Sequence, residues 1–207
     1  ELEGMREGRT RLYLARHGEL TTSKDWRYVG HLDVALSSTG IAQIQRLGQY
    51  LQQQEPIDLI LSSDLQRTVH SARLIGDMLG RTPVAERAFR ELHLGCWEGM
   101  TRDEILVKYP GEFEERSRDI ARYRVSGGES FADMQERVIA RLTSVCEEHR
   151  GRNILLVAHG GVNRVIICHV LGLALEHLAR LDQAYACLNI IDFFDGLPVL
   201  RLLNQNV

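Results

Sequence analysis

Short apolar runs alternate along this chain with longer stretches in which apolar residues recur at helical spacing. The runs at 11–15, 58–61 and 153–157 contain the consecutive apolar residues typical of buried strands. A recurrence of about 3.6 residues, typical of a helix with one buried face, occurs at 38–54, 65–79, 131–145 and 162–171. This alternation of strands and helices favours a layered α/β domain with a mainly parallel central sheet.

Less regular elements complete the pattern. A short strand is predicted near 83–85, and helical turns are predicted over 101–122. Apolar stretches at 187–194 and 197–203 flank Asp195-Gly196, a dipeptide that favours a tight two-residue turn. These two stretches therefore predict a terminal hairpin.

Two helix starts have the spacing of a capping box, in which a Ser hydroxyl and a polar side chain three residues later satisfy free backbone N–H groups. Ser63 and Gln66 have this spacing before the second helix, and Ser130 and Asp133 have it before the helix over 131–145. We therefore predict that Ser63 and Ser130 cap these helices.

The domain organisation follows from the same pattern. The sequence contains neither an internal repeat nor a domain-length linker, so residues 11–207 are predicted to form a single domain. Residues 1–10 lack an apolar signal core and are expected to be a flexible lead-in, partly vector-derived. No apolar run approaches the roughly 18 residues that a membrane helix needs.

Composition and charge narrow the function classes. The chain has 207 residues and a formal net charge of −3, with 25 Lys and Arg against 28 Asp and Glu. This balance disfavours general nucleic-acid binding, which needs a basic face over many phosphates. The four cysteines are scattered without a CxxC pair, so neither a zinc ribbon nor a disulfide scaffold is indicated. We expect a cytoplasmic protein with reduced cysteines and no nucleic-acid or membrane partner, and a homodimer is left open.

Three predicted strand ends carry cationic side chains. The first strand ends in Arg16 and His17, the second leads to Arg67 in the following helical turn, and the 153–157 strand is followed by His159. In a parallel sheet, the carboxyl ends of the strands form the ligand-binding edge. If these strands are neighbours, two guanidinium groups, two imidazoles and a helix N-terminus form an anion site of phosphate size.

Each of these features also has a simpler interpretation. A single Arg or His at a strand end is usually a surface group, and Gly160-Gly161 is more often a turn or helix entry than a phosphate cradle. The coincidence at three strand ends favours the functional interpretation. In that case Gly18, Gly160 and Gly161 let backbone N–H groups approach the anion closely.

Five sequence segments occur in a fixed order, and together they are a more specific family signature than any single segment. They are 14–19 (LARHGE), 62–67 (SSDLQR), 90–99 (RELHLGCWEG), 127–130 (GGES) and 157–161 (VAHGG). With these segments the sequence resembles the histidine phosphatase superfamily, also called the phosphoglycerate mutase-like family, from Arg11 to the end of the chain. The resemblance implies a three-layer α/β/α fold with a mainly parallel sheet.

The resemblance also implies roles for individual residues. In this family the His of Arg-His-Gly is the phosphorylated nucleophile, which implies that role for His17. By the same match, Arg16, Arg67 and His159 complete the phosphate pocket, and Glu91 is the proton donor. Neutral imidazole is a good nucleophile near neutral pH, and guanidinium donors suit the oxygens of a transferring phosphoryl group. Because these side chains supply the positive charge, no metal or other cofactor is expected.

A second set of positions is implied to bind substrate. After the Arg-His-Gly-Glu segment, many family members have Thr or Ser and, three residues later, a phosphate-binding Asn, where this chain has Leu20 and Ser23. Ser23 can still donate one hydrogen bond. The next family segment aligns with Arg27 and Gly30, which together with Gly160 are expected to contact the substrate.

Other polar residues compete for these roles. Glu98 could be the acid, but the family pattern favours Glu91, and Glu19 is interpreted as orienting the pocket cations. Cys96 has no evident activating base and is interpreted as a packing residue. The remaining histidines are interpreted as surface or packing residues, namely His31, His70, His93, His149, His169 and His177.

The activity implied by the resemblance is hydrolysis of a small phosphorylated metabolite. Family mutases have a long insertion after the catalytic Glu region, whereas here a segment of modest length separates Glu91 from the 127–130 motif, which favours a phosphatase. Among phosphatases, the pattern is similar to alpha-ribazole phosphatases and to broad-specificity enzymes. Three alternatives stay open: a phosphoglycerate mutase, a phosphate-binding module without turnover, and a metal-dependent hydrolase.

Overall fold

A central six-stranded sheet organises the protein. The computed structural model describes residues 8–195 and 197–207. The strands are β1 (Thr10–Arg16), β2 (Leu59–Ser62), β3 (Val84–Ala85), β4 (Asn153–Ala158), β5 (Leu188–Phe194) and β6 (Leu197–Gln205). Their order in the sheet is β3-β2-β4-β1-β5-β6.

The sheet is mixed, with a parallel part and an antiparallel edge. Strand β4 lies between β1 and β2 and is parallel to both, and β3 is parallel to β2. Strand β5 runs antiparallel to β1, and β6 runs antiparallel to β5. The mainly parallel centre and the terminal hairpin are therefore confirmed.

Helices cover both faces of the sheet. They are α1 (Ser38–Leu51), α2 (Gln66–Leu79), α3 (Arg102–Lys108), α4 (Glu112–Arg118), α5 (Phe131–Glu148) and α6 (Gly160–Leu171). Successive strand residues point to opposite faces, so Leu12 and Leu14 pack with the α5 and α6 side, and Tyr13 and Ala15 pack with the α1 and α2 side. The three predicted layers follow from this alternation.

The two predicted capping boxes have different outcomes. The box at α5 is confirmed, because Ser130 Oγ accepts from the Asp133 N–H at 3.1 Å and Asp133 Oδ2 accepts from the Ser130 N–H at 2.8 Å. The box at α2 is wrong. Leu65 occupies the cap position without a side-chain hydrogen bond, and the Gln66 N–H donates to Asp33 Oδ1 at 2.8 Å.

Strand β1 begins earlier in the chain than the sequence suggested. Thr10 is buried and belongs to β1, so the lead-in predicted over 1–10 includes one residue too many. Residues 1–7, and Gly196 of the predicted hairpin turn, lie outside the described residues. Among the residues that are described, no helix combines the length and the apolar composition needed to cross a bilayer.

Candidate active site

The parallel strands bring the two motif histidines together. In the register between β1 and β4, Arg16 lies opposite Ala158, so His17 and His159 leave the sheet side by side. The His17 N–H donates to the Ala158 carbonyl at 3.1 Å. The two imidazole rings lie 5.4 Å apart, edge to face. The predicted juxtaposition at the carboxyl edge of the sheet is therefore present.

His17 is buried and has one ring nitrogen free. Its Nδ1 lies 2.7 Å from the Gly18 carbonyl oxygen. Because a carbonyl oxygen only accepts, Nδ1 carries the proton and the Nε2 lone pair is left available. Burial, followed by the charges of Arg67 and Arg16, holds the pKa of His17 well below its usual value. His17 is therefore neutral at physiological pH.

Arg16 presents an unpartnered donor. One Nη donates to the Gln183 carbonyl oxygen, and the guanidinium carbon lies 4.1 Å from the centre of the Tyr185 ring. Its Nε is buried and has no hydrogen-bond acceptor among the described residues. A buried donor of this kind is costly unless an acceptor reaches it, so an anion is its natural partner.

Arg67 enters from the first turn of α2 and is 2% exposed. Its Nη1 donates to the Leu32 carbonyl at 2.8 Å and its Nη2 to the Gly30 carbonyl at 2.6 Å. The Nε donates to Nδ1 of His159 at 3.3 Å. Burial lowers the pKa of Arg67 to about 10, which still leaves it charged at neutral pH.

Both ring nitrogens of His159 are engaged. Nδ1 accepts from Arg67, and Nε2 lies 2.7 Å from Ser63 Oγ. Burial and the nearby Arg67 charge hold the pKa of His159 well below its usual value. In this arrangement His159 is a neutral neighbour of Arg67, so the positive charge of the pocket comes from the arginines.

Glu91 is placed at the N-terminus of α6. Its Oε2 accepts from the Gly161 N–H at 3.1 Å, and its Oε1 accepts from the Leu92 N–H at 2.9 Å. Gly161 has room for this carboxylate because it has no Cβ, which would lie 2.3 Å from Oε1. Glu91 therefore contacts the backbone two residues after His159, and its role as the acid stays a prediction.

An arginine that the sequence did not point to, Arg137, holds the backbone around Glu91. Arg137, on α5, donates to the backbone carbonyls of Arg90 and Glu91 at 2.8 and 3.2 Å. The same guanidinium pairs with Glu129, whose Oε1 also accepts from the His93 N–H. This network explains why the 127–130 motif lies beside the 90–99 segment.

The four residues expected to contact substrate occupy different surroundings. The Gly30 carbonyl holds Arg67, and a Cβ on Gly160 would lie 3.4 Å from Arg16 Nε, so both border the cationic cluster. Arg27 instead pairs with Glu104 at 3.1 Å. Ser23 lies in a turn that follows β1. Substrate contacts by these residues stay predictions.

Two acidic residues have structural partners. The sequence predicts that Glu19 orients the pocket cations, but its carboxylate accepts from the hydroxyl of Ser37, the N-cap of α1, at 2.9 Å. Glu98 Oε1 accepts from the His31 N–H at 2.8 Å. His31 is also more than a packing residue, because its Nε2 donates to the Glu91 carbonyl at 2.7 Å.

A third arginine and an aromatic ring border the site without having been predicted. Arg164 Nη1 lies 3.6 Å, and Arg16 Cζ 3.5 Å, from the point that a Cβ on Gly160 would occupy. Burial and the neighbouring Arg16 lower the pKa of Arg164. The Tyr185 ring lies 5.7 Å from that of His17. Within the described part of the chain, no group of three or more His, Cys, Asp or Glu side chains is arranged to hold a metal ion.

Because His17 and His159 are buried, we expect the protein to lose stability in mild acid. Their folded-state pKa lies below the unfolded value of about 6.5, so the unfolded chain binds more protons below that pH. The free energy of unfolding should therefore fall from about pH 6.5 to about pH 5.5, by up to about 1 kcal/mol for each histidine. Urea unfolding across this range measures the slope. His17→Gln should reduce it, and an unchanged slope would contradict the assignment.

Comparison with known proteins agrees with this geometry. The sequence profile of the histidine phosphatase superfamily (branch 1) matches residues 12–206. The chain belongs to this superfamily, and it is a phosphoric monoester hydrolase by class.

Named relatives and solved structures extend the match. The chain is 34% identical to a glucosyl-3-phosphoglycerate phosphatase of Mycolicibacterium vanbaalenii, over 81% of this chain and 76% of that protein. It is 31% identical to phosphoserine phosphatase 1 of Hydrogenobacter thermophilus, over 94% and 92%. The crystal structure of the alpha-ribazole phosphatase from Shigella flexneri superposes with a TM-score of 0.87 at 29% identity, covering 95% of this chain and 97% of that one. The phosphoglycerate mutase-like α/β fold is thereby confirmed.

Proposed function

We propose that this chain hydrolyses a small phosphorylated metabolite through a phosphohistidine formed on His17, without a metal ion. The observation that carries the proposal is the pairing of a free Nε2 on a neutral, buried His17 with the unpartnered Nε of Arg16. The nucleophile and the anion donor thus come from consecutive residues, and the Arg16 charge acts on the His17 ring. A phosphate monoester satisfies both groups at once.

The reaction divides into two steps. His17 Nε2 attacks phosphorus, the N–P bond forms and the P–O bond to the leaving group breaks, while Arg16 and Arg67 stabilise the charge on the equatorial oxygens. Glu91, in its protonated form, gives its proton to the leaving oxygen. Water then attacks phosphorus and gives a proton to Glu91, the N–P bond breaks with its electron pair returning to His17 Nε2, and inorganic phosphate leaves.

The position of Arg164 favours substrates that carry a second anionic group beside the phosphate. Its Nε donates to the Leu181 carbonyl at 2.7 Å, and its Nη1 faces the Gly160 side of the cluster. Two of the relatives are named for phosphoserine and glucosyl-3-phosphoglycerate, which both carry a carboxylate. We therefore propose that a carboxylate close to the ester improves the substrate.

Phosphate release in the presence of a chelator tests the proposal. We expect turnover of a generic aryl phosphate to survive EDTA. Activity that is lost on chelation and restored by a divalent ion would indicate a metal-dependent hydrolase. Tight binding of inorganic phosphate without turnover would indicate a binding module.

A substrate screen then separates the finer alternatives. Phosphoserine and phosphoethanolamine differ by one carboxylate, and phosphoserine should have the higher kcat/KM. Alpha-ribazole phosphate and 3-phosphoglycerate complete the set. Free phosphate as the product supports hydrolysis, whereas an isomeric phosphoglycerate would identify a mutase.

A further inference from the structure

A chain of buried hydroxyl groups leads away from His159. Its Nε2 lies 2.7 Å from Ser63 Oγ, and Ser63 Oγ lies 2.6 Å from Thr68 Oγ1. Thr68 Oγ1 in turn lies 2.9 Å from the Leu65 carbonyl oxygen. The side chains of His159, Ser63 and Thr68 are fully buried. The position of every proton in this chain therefore depends on protein groups.

The carbonyl at the end of the chain sets the direction of each hydrogen bond. The Thr68 hydroxyl lies within hydrogen-bond distance of two carbonyl oxygens, that of Leu65 at 2.9 Å and that of Ser63 at 3.1 Å. A carbonyl oxygen only accepts, so the Thr68 hydroxyl donates its single proton to this pair and must accept from Ser63 Oγ. The Ser63 proton is then committed to Thr68. Ser63 Oγ can only accept from His159, so Nε2 of His159 carries a proton.

The hydrogen bond at Nδ1 of His159 leads to the same protonation state of the ring. Arg67 Nε always carries a proton, and it donates to Nδ1 of His159 at 3.3 Å. Nδ1 must therefore be unprotonated. His17 has the opposite arrangement, because its Nδ1 donates to the Gly18 carbonyl. His17 is therefore held as the Nδ1–H tautomer by a carbonyl acceptor, and His159 as the Nε2–H tautomer by the Arg67 donor at its Nδ1.

We propose that Ser63 and Thr68 are positioning residues that hold His159 as the neutral Nε2–H tautomer, so that its Nδ1 orients the Arg67 guanidinium. Arg67 has five N–H groups. Three of them donate to Gly30, Leu32 and His159 in fixed directions. The remaining two N–H groups are thereby held in one plane for the phosphate. The kinetic part of this inference rests on the proposed function, whereas the tautomer assignment does not.

Nitrogen NMR of the folded protein tests the tautomers directly. In protein labelled with 15N-histidine at neutral pH, long-range proton–nitrogen correlations should show His159 protonated on Nε2 and His17 protonated on Nδ1. The His159 signals are assigned by their loss in His159→Gln. A His159 protonated on Nδ1, or on both nitrogens, would overturn the proposal whether or not the chain hydrolyses esters.

A matched pair of variants tests the role of the hydroxyl chain. Thr68→Val keeps the shape of the side chain and removes its hydroxyl, which frees the Ser63 proton to compete for Nε2. We expect mixed His159 tautomers and a fall of about tenfold in kcat, as for the loss of one hydrogen bond, with a smaller change in KM. Thr68→Ser restores the hydroxyl and should restore both readouts. Unchanged nitrogen shifts and kcat in Thr68→Val would overturn the proposal.

Discussion

Replacing His17 with Ala is expected to lower kcat/KM for every phosphate ester by at least about a thousandfold. In the proposed reaction its Nε2 forms the bond to phosphorus, and without it water would have to attack the ester directly. Arg16 and Arg67 remain in the variant, so binding of inorganic phosphate should persist. Steady-state turnover of an aryl phosphate and calorimetric binding of phosphate measure the two effects. Turnover within tenfold of the wild type would exclude His17 as the nucleophile.

Trapping the intermediate gives independent evidence on the same residue. Wild-type protein denatured in alkali during turnover of a radiolabelled ester should keep label on His17 that is stable in base and lost in acid, as expected of a phosphoramidate. His169, exposed at the opposite end of α6 from His159, provides the matched control. His169→Ala should keep both turnover and label. Label on a Ser or Asp would contradict the mechanism.

The elements of the fold could be predicted because burial periodicity is a local property of sequence. The continuous apolar run of β4 and the helical stripe of α5 can each be read from a short window. The cap of α2 could not, because the carboxylate that binds the Gln66 N–H comes from Asp33, in a distant loop. Local spacing predicts Ser63 instead, but the Ser63 hydroxyl contacts His159 and Thr68.

In the site, likewise, the motif residues could be predicted from the sequence, whereas the groups that position them could not. Arg16, His17, Arg67 and His159 lie in recognisable local motifs at strand ends, so their meeting followed from a parallel sheet. The groups that hold them do not have such motifs. Arg16 donates to the carbonyl of Gln183, 167 residues away in sequence, and a backbone carbonyl has no sequence signature.

Glu91→Gln is expected to slow the hydrolysis of alkyl phosphates by about 10²–10⁴-fold in kcat, the range for loss of a general acid. The amide is isosteric, and its single oxygen can still accept from one of the two N–H groups that contact the carboxylate, that of Gly161 or that of Leu92, so the fold should be kept. An alkoxide leaving group needs the proton, whereas a phenolate with a low pKa leaves without it. The loss with an aryl phosphate should therefore be much smaller. Equal losses for alkyl and aryl esters would show that Glu91 is not the acid.

The position of the Glu91 carboxyl group can be tested in a variant that keeps Glu91 but displaces its side chain. A Cβ at residue 161 would lie 2.3 Å from Glu91 Oε1, so Gly161→Ala must displace the carboxylate. If that displacement is its main effect, Gly161→Ala should also slow alkyl esters more than aryl esters. In the Glu91→Gln background the acid is already absent, so adding Gly161→Ala should cost little further activity. Additive losses in the double variant would mean that residue 161 acts through another group, such as the N–H groups that begin α6.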